Sequence, residues 1–581
     1  MKRNFTFNHN PLLCERLPEW RARFVLVALL LGSFALVGRA MYLQGVNTEF
    51  LQTKGEARYA RTLTMPANRG RILDRHGEPL AMSTPVKSIA AIPDAANLNQ
   101  QQVRDLARVL EMEASEINRR LSSERDFVFL KRSVSPAVAQ RVADLKLPGV
   151  RAESEYRRYY PVGDVTAHVV GFTSIDDRGQ EGIELAMDQQ LIGKPGARRV
   201  IHDRRGQIVE DVQSIRLPQD GRDIVLSLDA KIQYLAHSAL KQAVQQHQAK
   251  AGGVVVLDAK TGEVLALVNN PTYNPNNRVK LTGAQLRNRA LTDSFEPGST
   301  MKPLTGALAL EMNKVRPDTL IDTNNGRLTI EGATITDAHP HGIMSVAQII
   351  QKSSNVGSAK MVQSIRPEEM WNMFDALGFG SPLGTGFPGE VGGRLRPWKH
   401  WRPIEQATMA YGHGISVTLM QMAHSYQVFA RGGELLPLSL TRVDAPPLHG
   451  KQVFSPEVAK QMLAMMETVT QEGGTAPQAQ VPGYRVAGKT GTAYKVESGR
   501  YAKKYVSSFV GLAPASDPRL IVAVMIDEPS VGGHYGGGVA GPVFASVMGG
   551  ALRSMGVRPD APAAAQQLAR QNATRPAGDA M

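Results

Sequence analysis

Three short motifs carry the residues able to do chemistry, in fixed order along the second half of the chain: Ser299-Thr300-Met301-Lys302, Ser353-Ser354-Asn355 and Lys489-Thr490-Gly491-Thr492. Together they hold the parts of an acyl-transfer site: a hydroxyl nucleophile, an amine to take its proton, a hydroxyl relay, and a cation with hydroxyls to grip a carboxylate. A serine hydroxyl is unreactive near neutral pH unless a neighbour accepts its proton. Lysine does this only when burial or nearby positive charge keeps its amine neutral, and Lys489 is a source of such charge for Lys302.

These side chains need elements to hold them. Ser299 follows Glu296-Pro297-Gly298 and opens a helical stretch to residue 310, so Lys302 falls one turn later on the same face. Ser353 and Asn355 are expected at a loop or helix end beside the site. There the Ser353 hydroxyl relays a proton to a leaving amine, and the Asn355 amide holds both Lys302 and a substrate peptide group. Residues 489–492 are β-prone and glycine-interrupted, which predicts an edge strand presenting Lys489, Thr490 and Thr492 to a carboxylate. Backbone N–H groups of Thr492 and Ser299 are candidates for an oxyanion hole.

Other patterns compete. Residues 483–490 satisfy a phosphate-loop pattern, yet Pro482-Gly483 stands where a buried strand is needed and Gly491-Thr492 interrupts any following helix. Lys260-Thr261-Gly262 repeats the Lys-Thr-Gly pattern ahead of the nucleophile and reads as a hairpin turn between two apolar runs. Asp337, His339 and His341 alternate with a spacing that suggests metal ligands, but Pro340 between the histidines predicts a loop. Glu181 and Glu184 sit among glycines, as in a turn running into a helix, and residues 532–541 predict a flexible glycine-rich loop lining the cleft.

The chain has 581 residues, 42% hydrophobic and 21% charged, with a formal net charge of +14. That length exceeds one core, and that composition is of a folded protein. The basic residues are spread out and lack any motif that reads nucleic acid, so no nucleic-acid partner is expected. The single cysteine, Cys14, precedes an apolar stretch at 24–46 interrupted only by Arg39. This stretch predicts one retained membrane-spanning helix, with Arg39 and Tyr42 at the interface. Lys2, Arg3, Arg16, Arg21 and Arg23 before it outnumber Lys54, Arg58 and Arg61 after it, which predicts a cytoplasmic N-terminus.

The predicted organisation is a cytoplasmic tail 1–23, the anchor 24–46, a noncatalytic mixed α/β domain 47–220, a catalytic α/β (α+β) domain 221–558 and a disordered tail 559–581. Within the noncatalytic part, residues 69–81 read as a hairpin. Val103, Leu106, Val109, Leu110, Ile117 and Leu121 recur as helical core faces. In the catalytic part, 224–228 is strand-like, 230–247 helical, and 253–257 with 264–268 form a hairpin.

The three motifs resemble those of penicillin-binding proteins and serine β-lactamases. With the anchor, the 69–81 box and the 179–184 turn, the chain resembles a class B penicillin-binding protein over nearly its whole length, and Phe295-Glu296-Pro297-Gly298-Ser299 resembles the division-specific branch. The resemblance implies helices around an antiparallel sheet, preceded by a dimerisation-like pedestal. It implies that Ser299 attacks the D-Ala–D-Ala bond of a peptidoglycan stem pentapeptide, that Lys302 is the base, Ser353 and Asn355 the relay, and Lys489, Thr490, Gly491 and Thr492 the carboxylate grip. It implies no cofactor or metal, acylation by β-lactams, an inner-membrane location with a periplasmic catalytic domain, and a polytopic wall glycosyltransferase and other division proteins as partners. The alternatives are an elongation-specific transpeptidase, a β-lactamase, a β-lactam sensor and a noncatalytic division scaffold.

Overall fold

The computed structural model describes residues 18–46, 48, 60–202 and 208–561, apart from 124, 126, 446, 448 and 498. Cys14, Lys2, Arg3, Arg16, Lys54, Arg58 and the tail from 562 onward lie outside the described residues. An apolar helix, Glu19–Met41, buries none of its side chains. Its 23 residues span about 35 Å at the helical rise, enough for a hydrocarbon core of about 30 Å. Arg39 lies in its last turn with its guanidinium 5.5 Å from the centre of the Tyr42 ring, as suits an interfacial pair.

Contacts divide the chain into two compact units that do not follow a single cut in the sequence: Met1–Pro66, Lys87–Glu153 and Pro195–Gln219 form one, and Ala67–Val86, Ser154–Lys194 and Asp220–Met581 the other. In the first, strand Gly196–His202 pairs antiparallel with Ala60–Met65 on one side and Ile208–Arg216 on the other. Helices Gln100–Leu110 and Ala114–Leu121 bury Val103, Leu106, Leu110 and Ile117 against Leu130. Val109 and Leu121 are only partly buried at the edge of that core. Asn99 and Gln102 close a capping box at the first helix, satisfying two of its free N–H groups.

In the second unit, Ile72–Leu73 turns back through Asp74, which accepts from the backbone N–H groups of His76 and Glu78, and pairs with the strand beginning at Pro79. The expected strand at 224–228 is shorter: only Ile224–Val225 pairs, in parallel with Ile72–Leu73, and Leu226 bridges to Thr441 instead. Arg69 is fully buried, 2.6 Å from Glu184 and 2.7 Å from Asp188, and Arg158 approaches the other Glu184 oxygen at 2.6 Å. Glu184 is thus the anion between two arginines at the start of the helix Gly182–Ala186. A buried carboxylate is tolerated only when paired and hydrogen-bonded in this way.

The centre of this unit is a five-stranded antiparallel sheet. Its strands are β1 (Ala251–Asp258), β2 (Val264–Asn270), β3 (Ala487–Glu497), β4 (Arg500–Ala513) and β5 (Leu520–Asp527), in spatial order β2-β1-β5-β4-β3. Every residue of β1 is buried, as for a strand covered on both faces. Successive strand residues point to opposite faces. A side chain at Gly252 would meet Leu240 and one at Gly253 would meet Leu419, so helix Ala230–Gln246 covers one face and helix Leu419–Ser425 the other. Lys260-Thr261-Gly262 makes the β1–β2 turn, with the Gly262 N–H donating to the Asp258 carbonyl. The phosphate-loop pattern runs into β3 itself, and the next element is strand β4 where a phosphate loop needs a helix.

Candidate active site

Pro297-Gly298 feeds a single 3₁₀ turn, Gly298–Met301, that continues directly into helix α1, Lys302–Glu311. The turn is tied down from several sides. Thr300 Oγ1 donates to the Pro297 carbonyl at 2.8 Å, the buried Tyr426 hydroxyl donates to the Thr300 carbonyl at 2.7 Å, and Thr305 Oγ1 donates to the Ala410 carbonyl at 2.8 Å. Ser299 is half-buried at the head of this helix while Lys302 is wholly buried beneath it. The Ser299 hydroxyl makes no hydrogen bond among the described residues.

Helix α2, Val346–Lys352, ends at Ser353 with φ +63°, and helix α3, Asn355–Val362, starts two residues later. That left-handed residue lets the chain reverse between the helices and turns Ser353 inward. Lys302 Nζ donates to the Ser353 carbonyl, lies 3.1 Å from Ser353 Oγ and donates to Asn355 Oδ1 at 2.8 Å. Lys489 Nζ donates to the same Ser353 Oγ at 2.9 Å and to Thr490 Oγ1 at 3.2 Å. One hydroxyl therefore sits between two amines. A neutral Lys302 spends its two N–H groups on the Ser353 carbonyl and Asn355, leaving its lone pair for a hydroxyl proton.

Electrostatics favour that state. Burial holds Lys302 well below its ordinary range, the charge of Lys489 adds to this, and Asp337 opposes it. Burial alone lowers Lys489 to about 7. Of the two, Lys302 is the one further depressed by its neighbour's charge, so it gives up its proton first as pH rises.

Strand β3 is the edge strand, as the sequence pattern implies, and comes up against the turn that carries Ser299. A side chain at Gly491 would stand 2.8 Å from the Pro297 carbonyl and 2.3 Å from Ser508 Oγ, so only glycine allows this approach. Thr490 Oγ1 lies 3.0 Å from Thr475 Oγ1, and Thr492 Oγ1 accepts from Gly536 N–H at 3.1 Å. The glycine-rich segment expected as a flexible loop is instead partly ordered into the helical turn Gly536–Val539. A side chain at Gly536 would stand 2.4 Å from the Gly491 carbonyl and 2.3 Å from that of Ser508. That absence of side chains is what lets the turn pack on β3 and β4.

In the sequence analysis, Asp337, Glu296 and His413 have no positioning role at the site. Asp337, weighed there with His339 and His341 as a metal pattern, accepts from Ser354 Oγ at 2.6 Å and from the N–H groups of Asn355 and Val356 at 2.5 and 2.9 Å. It caps α3 and fixes the motif that holds Lys302. No cluster of metal-ligating residues forms among the described residues. Glu296 accepts from the Gly414 N–H at 2.8 Å and from the Tyr501 hydroxyl at 3.1 Å. His413 lies against the rings of Tyr411 and Tyr501, and burial beside Lys302 lowers it to about 4. The sequence signal for Asp337 was an acidic residue 18 positions before Asn355, which local spacing does not connect.

Residues 252–549 match the penicillin binding protein transpeptidase domain, and residues 64–226 match the penicillin-binding protein dimerisation domain. The chain is 44% identical over 548 residues to a probable peptidoglycan D,D-transpeptidase PenA of Neisseria gonorrhoeae, covering 93% of this chain and 94% of that one. It is 39% identical over 551 residues to the peptidoglycan D,D-transpeptidase FtsI of Escherichia coli K12, covering 94% and 93%. Among solved structures, the transpeptidase domain of Burkholderia pseudomallei penicillin-binding protein 3 superposes with a TM-score of 0.54 at 50% identity, covering 58% of this chain and 98% of that one.

Proposed function

Because the chain belongs to the class B penicillin-binding proteins and is a membrane-anchored peptidoglycan D,D-transpeptidase, we propose that it serves cell division, that Ser299 is its nucleophile and that Lys302 is the base that activates it. The observation that carries this assignment is the buried, depressed Lys302, one helical turn from Ser299 and hydrogen-bonded to both Ser353 and Asn355.

In this mechanism Ser299 Oγ attacks the carbonyl of the penultimate D-alanine of a stem peptide and its proton passes to Lys302. The Ser353 hydroxyl, held between Lys302 and Lys489, relays a proton to the departing D-alanine amine. Backbone N–H groups of Ser299 and Thr492 stabilise the oxyanion, an effect worth about a hundredfold per donor. Lys489, Thr490 and Thr492, kept close by Gly491, hold the terminal carboxylate. An amine of a neighbouring stem then displaces Ser299. β-Lactams follow the same first step.

We place the helix Glu19–Met41 in the inner membrane, N-terminus inside, with the catalytic domain in the periplasm. The protein partners of this reading are a polytopic wall glycosyltransferase and other division proteins, meeting the anchor and the pedestal, residues 47–220.

The test is covalent labelling of the full chain in detergent with a fluorescent penicillin. A persistent adduct lost in Ser299→Ala is the expected result. No adduct at saturating reagent refutes the assignment, and rapid release points to a β-lactamase. Depletion in the source cell gives filaments if the enzyme serves division, and rounded cells if it serves elongation.

A further inference from the structure

Beyond the catalytic motifs, a pocket of about 460 Å³ opens beside the far end of β3, lined by Glu296, Arg394, Arg396, Tyr494, Lys495 and Val496 among others. Its charges are unequal in their commitments. The Arg396 guanidinium is held by Glu405 at 2.9 Å, and Lys495 is held by Asp527 at 2.8 Å and Glu528 at 2.7 Å. The exposed Arg394 guanidinium has no side-chain partner among the described residues; only its backbone is engaged, with Ser416. Glu296 is fixed by Gly414 and Tyr501 and is half-buried, with lone pairs to spare.

The position of the pocket along β3 says what part of a substrate reaches it. A peptide that adds to this free edge runs alongside it at about 3.4 Å per residue. With its terminal carboxylate at Lys489 and Thr490 and its reacting carbonyl near Thr492, the residue preceding the acyl residue lies beside Tyr494 to Val496. Its side chain then has the pocket open to it. A guanidinium and a carboxylate facing one cavity match an amino-acid head group, which carries a carboxylate and an ammonium on one carbon. A plain alkylamine would engage Glu296 and leave Arg394 unused.

We propose that this pocket is the donor-side specificity subsite: Arg394 takes the carboxylate and Glu296 the ammonium of a zwitterionic side-chain end on the stem residue preceding the acyl residue. The proposal rests on the transpeptidase reading above.

The experiment uses the full chain in detergent and two soluble donors ending in a D-alanyl thioester, identical except that the preceding residue is diaminopimelate in one and lysine in the other. The measured quantity is the ratio of their kcat/KM values, which cancels any loss of folded enzyme. The wild type is expected to favour the diaminopimelate donor by about tenfold, the worth of one well-made charged contact. Arg394→Ala is expected to bring the ratio toward unity, and Arg394→Lys to restore part of it. Equal rates in the wild type, or a ratio untouched by Arg394→Ala, overturn the subsite while leaving the transpeptidase reading standing. A wild type that consumes neither donor and forms no penicillin adduct overturns both.

Discussion

Replacing Asp337 with asparagine separates positioning of the site from its electrostatics. The Asp337 carboxylate accepts three hydrogen bonds, from Ser354 Oγ and from the Asn355 and Val356 N–H groups, all at the start of the helix that carries Asn355. A charged acceptor contributes about 1.5–3 kcal/mol per bond when buried. Asp337 is only half-buried, asparagine keeps one acceptor oxygen, and Ser354 already caps Gly357 at 2.9 Å. The net loss is therefore about 2 kcal/mol. If that loss falls on the placement of Asn355 and Lys302, acylation of Ser299 slows by about thirtyfold.

The charge acts in the opposite sense. Asp337 raises the pKa of Lys302, so its removal lowers that pKa further and keeps the base neutral to more acidic pH. The acid limb of the acylation profile should move to lower pH even as the plateau falls. The assay is the second-order rate of labelling by a fluorescent penicillin across pH, read beside the thermal unfolding midpoint. An unchanged plateau with a lowered midpoint would make Asp337 a fold element only, and an acid limb moving upward would refute the electrostatic argument.

For Lys489, lowered to about 7 by burial, acylation by carboxylate-bearing substrates should decline on the alkaline side of about pH 7, where the amine loses the charge that grips the carboxylate. Lys489→Arg keeps its charge and should remove that limb, whereas an identical limb in the variant assigns it to another group. Gly536→Ala puts a methyl 2.3 Å from the Ser508 carbonyl and 2.4 Å from that of Gly491, an overpacking that costs about 1–3 kcal/mol. It should lower both the unfolding midpoint and the labelling rate, and an unchanged midpoint would show that the turn moves freely away from β3.

Local features are legible from residue order alone: the apolar span, the helical faces around Leu106 and Ile117, the β1–β2 hairpin, and the motif residues 299, 302, 353, 355 and 489–492 with their order. These are legible because hydrophobic period, turn residues and a nucleophile-plus-base spacing act within a few residues of one another. Tertiary structure decided everything that joins distant segments. Asp337 reads as one of three residues in a metal pattern until the fold brings it under Asn355. Glu184 reads as a turn residue until Arg69 and Arg158 close on it from both sides. Lys302 and Lys489 lie far apart in sequence; burial depresses each, and the charge of Lys489 depresses Lys302 further. The reason is that desolvation and a neighbour's charge are properties of three-dimensional surroundings. A motif names the amine, and only the packed interior sets whether it holds a proton.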